Sequence, residues 1–229
     1  GRPGHDLVYL RDIDPSIRQD MRYAGANNFT GRALPGYGAP ECLLRRPVAE
    51  ALKRVQADLA GENLSLKVYD CYRPTRATRA MARWAHRPVE RVNAARFHPS
   101  LSKNELFARG YISLYSAHSR GVAVDLTLTR RDAAAAARFD PGARYGPCTG
   151  PAATRAPDDS LDMGTEFDCF DTRSHTLSPA IVGEQRAARQ SLLRAMARHG
   201  FKNYFREWWH FSYPKADPGS AYDVPIERR

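Results

Sequence analysis

Val122, Val124, Leu126 and Leu128 alternate with Ala123, Asp125 and Thr127. A period of two is the signature of a β-strand, and it commits this segment to a sheet with one apolar face. The other face carries Asp125, a carboxylate set into an otherwise apolar strand. Burying it is costly unless a cation or a strong hydrogen-bond donor meets it. His118 precedes it in the polar turn Ser116-Ala117-His118-Ser119-Arg120-Gly121.

A second segment combines the same chemical types: in Glu207-Trp208-Trp209-His210-Phe211 a carboxylate and an imidazole stand inside an aromatic block. Two imidazoles and one carboxylate form a catalytic-type zinc set. Three protein ligands leave a fourth position for water, whereas structural zinc sites usually close with thiolates. Glu207, the remaining carboxylate, could then take a proton from that water. The residues alone leave alternatives open: a hydrogen-bonded core histidine beside aromatics, and a paired core carboxylate at 125.

Around these segments the pattern predicts an α+β single domain, with a mainly antiparallel central sheet flanked by helices. Asp6 to Leu10 reads as a strand and Asn27 to Gly31 as a turn. Pro47 to Ala60 reads as a helix, with Val48, Leu52, Val55 and Leu59 on one stripe and Gly61 past its end. Leu64, Leu66 and Val68 alternate as a strand, and Thr75 to His86 returns to helix. Gly183 to His199 is a further helix with Ala188, Leu192 and Met196 in line, and Trp208 to Tyr213 a last strand. Phe139 to Ser160, rich in Pro, Gly and Asp, is a long loop.

The chain has 229 residues, a net charge of +10 and four cysteines. Its basic residues are dispersed, which argues against nucleic acid as a partner. No stretch approaches the ~18 apolar residues of a membrane span. None of the cysteines forms a C-x-x-C pair, and four allow two disulfides in three connectivities. Tying down the long loop makes Cys148–Cys169 a reasonable bridge. Two bridges need an oxidising compartment, so a periplasmic or exported location is expected, with four reduced buried thiols in the cytoplasm as the alternative.

Ser116-x-His118-x-x-Gly121-x-Ala123-x-Asp125 together with Glu207-Trp208-Trp209-His210 resembles the D-alanyl-D-alanine dipeptidases of the VanX type. These zinc metallopeptidases are related to D,D-carboxypeptidases and to the hedgehog signalling domain. Further matching blocks follow in order: Met21 to Ala24, Asn28 to Gly31, Tyr69-Asp70-Cys71-Tyr72-Arg73-Pro74, and Leu161-Asp162-Met163-Gly164-Thr165-x-Phe167-Asp168. The resemblance spans residues 6–214, with a loop extension at about 140–160 and tails at 1–5 and 215–229.

The resemblance implies one zinc ion on His118, Asp125 and His210, with Glu207 as the base that activates water and protonates the leaving amine. It implies that Arg73 stabilises the oxyanion, a task suited to a permanently charged planar fork of donors. Tyr23 and Asp162 would hold the substrate ammonium, and Ser116 would lie near its carboxylate. The substrate implied is a small D,D-dipeptide, cleaved into two D-alanines. Rival readings are a D,D-carboxypeptidase acting on peptidoglycan stem peptides and a non-catalytic zinc or cell-wall binding module. The cysteines depart from the family pattern, and Cys42–Cys71 with Cys148–Cys169 would fasten the loops around the site.

Overall fold

The computed structural model describes residues 4–229. Of the tail expected at 1–5, residues 1–3 lie outside the described residues, and Gly4 and His5 form a turn. β1 (Leu7–Tyr9), α1 (Leu10–Ile13) and β2 (Arg18–Gln19) open the chain. β3 (Leu43–Arg45) runs into α2 (Arg46–Ala60), with Pro47 in the first turn, where its missing N–H leaves no bond unmade. The stripe Val48, Leu52, Val55 and Leu59 is buried as expected, and α2 packs against β4 (Leu64–Asp70).

α3 (Thr75–Ala85) follows, then two helices the periodicity did not announce, α4 (Arg91–Phe97) and α5 (Lys103–Ala108). Both are short. α5 starts at a capping box in which the Ser102 and Glu105 side chains each satisfy the other's backbone N–H. β5 (Ala123–Arg130), α6 (Gly183–Arg198), β6 (Lys202–Tyr204) and β7 (Glu207–Ser212) complete the order.

Five strands form the central sheet in the order β2-β4-β5-β7-β6, and every pair except β2–β4 is antiparallel. β1 and β3 pair as a separate two-stranded antiparallel sheet. The fold is α+β and mainly antiparallel, as the pattern of elements implied. β5, the middle strand, is buried on both faces over residues 123–129. Its Asp125 face is therefore not a solvent face. The segment after the long loop covers it: Leu161 N donates to Leu128 O at 2.8 Å, and the Thr127 and Ser160 hydroxyls meet at 2.7 Å.

Residues expected as a C-terminal tail pack back as a strap. Ile226 is fully buried and its N–H donates to Gly36 O at 2.7 Å, while Val224 N donates to the Tyr72 hydroxyl at 2.8 Å. An apolar residue so close to the end of the chain gains more from burial than its segment gains from freedom.

The long loop is tied to the sheet by charge. Lys67, in the middle of β4, reaches Asp158 at 2.6 Å and also bonds Asp159, and Arg22 reaches Asp158 at 3.0 Å and Asp20 at 2.8 Å. Arg18 completes the set on Asp159. Lys67 and Arg22 are each only 4% exposed, so their desolvation is offset only while these carboxylates stay in place. Lys67→Ala should lower stability by about 1.5–3 kcal/mol in urea unfolding, because it removes the buried ammonium shared by two part-buried carboxylates and leaves them to Arg22 and Arg18 alone.

Candidate active site

Sheet register gathers the chemistry. Asp70 of β4 stands opposite Asp125 of β5, and Asp125 stands opposite His210 of β7. Directly opposed residues on neighbouring strands share a face. Residues three apart in a regular strand face opposite ways, yet Glu207 and His210 line the same cavity. The β6–β7 ladder shifts register between Asn203 and Tyr204, which lets β7 turn both inward.

His118 comes from a single 3₁₀ turn, Ala117–Arg120, entered through Ser116, whose Oγ accepts from His118 N at 3.2 Å. Gly121 ends that turn at φ +73°, and a Cβ there would lie 2.7 Å from Leu7 Cδ2. Only glycine meets both conditions, so it launches β5 directly from the histidine turn.

His118 Nδ1 lies 2.8 Å from Cys71 O, which places the ring proton on Nδ1 and leaves the Nε2 lone pair free. Nε2 then faces Asp125 Oδ1 at 3.1 Å, and His210 Nδ1 faces the same oxygen at 3.2 Å. One donor atom from each residue falls within 4.8 Å of the others. Two imidazole nitrogens converging on one buried carboxylate oxygen call for positive charge between them, a proton or a cation. Two imidazoles and one carboxylate fit a catalytic zinc-type ion.

Burial opposes charge on His118, but Asp125 raises its pKa above the ordinary imidazole value. Burial likewise works against the Asp125 carboxylate, yet the His118 and His210 imidazoles hold its pKa well below the usual range.

Tyr23, Arg73, Ser116 and Glu207 line one cavity of about 360 Å³ with this triad. The Arg73 guanidinium is held by Asp70 Oδ2, through Nε at 3.0 Å and Nη2 at 2.8 Å, and Tyr37 donates to the other Asp70 oxygen at 2.5 Å. Nη2 lies 4.0 Å from Asp125, and the guanidinium carbon sits 5.3 Å from the Tyr23 ring centre. The Tyr23 hydroxyl donates to Asp168. Glu207 lies 3.9 Å from His210 Nδ1, its pKa pushed well up by burial and by Asp125 and Asp168. Ser116 is at the rim beside the exposed Tyr115.

Asp162 is not brought to this cavity. Its carboxylate accepts from Arg155, Gln185 and the Gly164 N–H, each at 2.9 Å, and faces a different hollow beneath the long loop. The carboxylate beside Tyr23 is Asp168, later in the same block. It is buried, and burial followed by the Asp125 charge pushes its pKa up to about 8. Its sequence signal was its place at the end of that block, but spacing could not separate it from Asp162. Trp208 and Trp209 are buried in the core and line no part of this cavity, and the Ser119 hydroxyl is spent on Thr78 at 3.2 Å.

The M15 peptidase family model described as D-ala-D-ala dipeptidase matches residues 4–143 and 156–227. The chain belongs to this family. A D-alanyl-D-alanine dipeptidase of Enterococcus faecium is 30% identical over 222 residues, 96% of this chain and 98% of that one. Proteins of the same name from Enterococcus faecalis and Streptomyces coelicolor are 31% and 32% identical, covering 90% and 96% of this chain and 90% and 98% of their own lengths. The chain is a peptidase, and no helix among the described residues is long and apolar enough to cross a membrane. Residues 144–155 fall between the two matched stretches, within the loop extension.

One divalent ion per chain is the expected result of metal analysis on the purified protein. Asp125→Ala removes the carboxylate on which both imidazoles converge, and it should lower metal affinity at least ~100-fold by competition with a chromogenic chelator.

Proposed function

We propose that this chain hydrolyses the D-Ala-D-Ala dipeptide into two D-alanines, using one zinc ion on His118, Asp125 and His210. One observation carries the reading: the cavity that holds the metal set also holds a buried carboxylate, Asp168, beside Tyr23. A free dipeptide presents an ammonium close to its scissile bond, and Asp168 is a partner for it. A bound ammonium would draw the Asp168 pKa back down and keep it ionised. The D configuration is supported by the relatives, each named a D-alanyl-D-alanine dipeptidase.

Zinc, when bound, supplies Lewis acidity toward the scissile carbonyl and toward water. Glu207 accepts the proton from the attacking water and delivers it to the leaving amine. Burial and its acidic neighbours push the Glu207 pKa up, and positive charge at the ligand set would work in the opposite direction, favouring the carboxylate that a base needs. Arg73, kept charged and oriented by Asp70, stabilises the oxyanion as it develops. Ser116, at the rim, takes the carboxylate end of the dipeptide.

A D,D-carboxypeptidase acting on stem peptides would have no use for an ammonium partner in the cavity. Purified protein should therefore cleave D-Ala-D-Ala and leave both N-acetyl-D-Ala-D-Ala and a D-Ala-D-Ala-terminated pentapeptide intact; equal cleavage of the pentapeptide would overturn the dipeptidase choice. Glu207→Ala should reduce kcat by at least ~10²-fold while the bound metal stays at one per chain. Asp168→Asn should act chiefly on KM.

The two disulfides favour a periplasmic or exported setting. Non-reducing peptide mass spectrometry of protein from an oxidising host should show both pairs, and four free thiols would remove that argument.

A further inference from the structure

Each disulfide ends directly behind the site, and the two end at different parts of it. All four sulfurs belong to fully buried residues. Cys71 supplies the carbonyl that accepts from His118 Nδ1 at 2.8 Å, the bond that turns Nε2 toward Asp125. The main chain beside it is fixed to the same turn, since Arg73 N donates to His118 O at 3.1 Å. Across the bridge, Cys42 is anchored through its own backbone: its carbonyl accepts from Leu10 N at 2.9 Å, and its N–H donates to the Gln19 side chain at 3.2 Å. The bond thus ties the His118 acceptor to an anchored point on the neighbouring segment, where Tyr72 N also donates to Leu43 O at 2.8 Å.

Cys169 directly follows Asp168, whose φ of +59° is left-handed and disfavoured for a residue with a Cβ. Such a conformation persists only where the surroundings over-determine it. Here Cys148 N donates to Arg96 O at 2.8 Å, Glu166 N donates to Cys148 O at 3.0 Å, and Phe170 N donates to Phe97 O at 2.8 Å. Arg96 and Glu166 pair at 2.9 Å. The bridge joins these contacts to α4 immediately beside Asp168. Cys148 lies in the stretch 144–155 that falls between the two parts matched by the family model.

We propose that the two disulfides are positioning elements for separate halves of the site. Cys42–Cys71 fixes the carbonyl that orients the metal ligand His118, and Cys148–Cys169 fixes Asp168, the partner of the substrate ammonium. This rests on the dipeptidase reading of the cavity. A bond that acted only by restricting the unfolded chain would change stability and leave the folded protein's affinities where they were. A positioning bond changes one affinity and spares the other.

The test uses the full chain with the paired replacements Cys42→Ala with Cys71→Ala, and Cys148→Ala with Cys169→Ala. Metal affinity is read by chelator competition and KM for D-Ala-D-Ala at saturating zinc. The first pair should lose about 10–100-fold in metal affinity, as loss of support behind a metal-bound histidine does, with KM within about twofold of the parent. The second pair should raise KM about tenfold and leave metal affinity within about twofold. Leu52→Ala, a core change outside both bridges, should lower Tm and move neither quantity.

Loss of both affinities in parallel in each pair, or of neither, overturns the proposal. Should an Ala pair fail to fold, Val at one position of the pair fills the space. A bridge whose loss no replacement survives belongs to folding rather than to the site, and that result also overturns the proposal. A parent protein that binds zinc yet leaves D-Ala-D-Ala intact ends the dipeptidase reading itself, whereas an active parent with unsplit variants ends only this inference.

Discussion

Asp125 is a carboxylate that the fold removes from water on the middle strand of its sheet, and two imidazoles converge on one of its oxygens at 3.1 and 3.2 Å. Leaving such a charge unpaired in the interior costs several kcal/mol, so everything nearby is arranged around meeting it. The histidine turn is fixed by Gly121 in front and the Cys71 carbonyl behind, and β7 is bent so that Glu207 and His210 reach the same hollow. Arg73 brings positive charge to the other side of Asp125 but is held back by Asp70, so it remains directed at the cavity. The arrangement fits the proposed reading of a cation site, with Glu207 as proton carrier and Arg73 as anion stabiliser around it.

The opposite end of the cavity depends on loops rather than strands. Asp168 stands in a left-handed conformation on a long connection between β5 and α6 with no regular helix or strand of its own. Arg189 reaches out of α6 to bond the carbonyls of Met163, Arg173 and His175, holding both flanks of that connection. Its buried guanidinium replaces three backbone partners the loop would otherwise lack. The ion cluster around Lys67 holds the connection at its other end. Charge, a disulfide and one buried arginine thus substitute for secondary structure.

The elements with strong periodicity were legible in the sequence. α2, α3, α6, β4, β5 and β7 lie within about two residues of where apolar spacing puts them, because burial of one face both creates the pattern and stabilises the element. α4 and α5 were not, since short helices carry too few turns to show a period. What meets the Asp125 face of β5 was not legible for a related reason. A strand's alternation reports which residues are apolar, and it is silent about what the polar side meets, here another segment of the same chain.

For the site, residue types and order singled out the candidate metal set. His118, Asp125, His210 and Glu207 stood in two short segments whose chemistry had few other uses, and the structure brings them together. Arg73, Tyr23 and Ser116 also reach the cavity. What only the tertiary structure decided was which of two aspartates in one block faces Tyr23. Asp162 and Asp168 are equal as sequence, but Arg155 and Gln185 claim the first while the left-handed turn aims the second inward. Sequence fixes which groups a chain owns and, through periodicity, which way a strand faces. The direction of a carboxylate on an irregular loop is set by partners distant along the chain, and only the folded molecule brings them together.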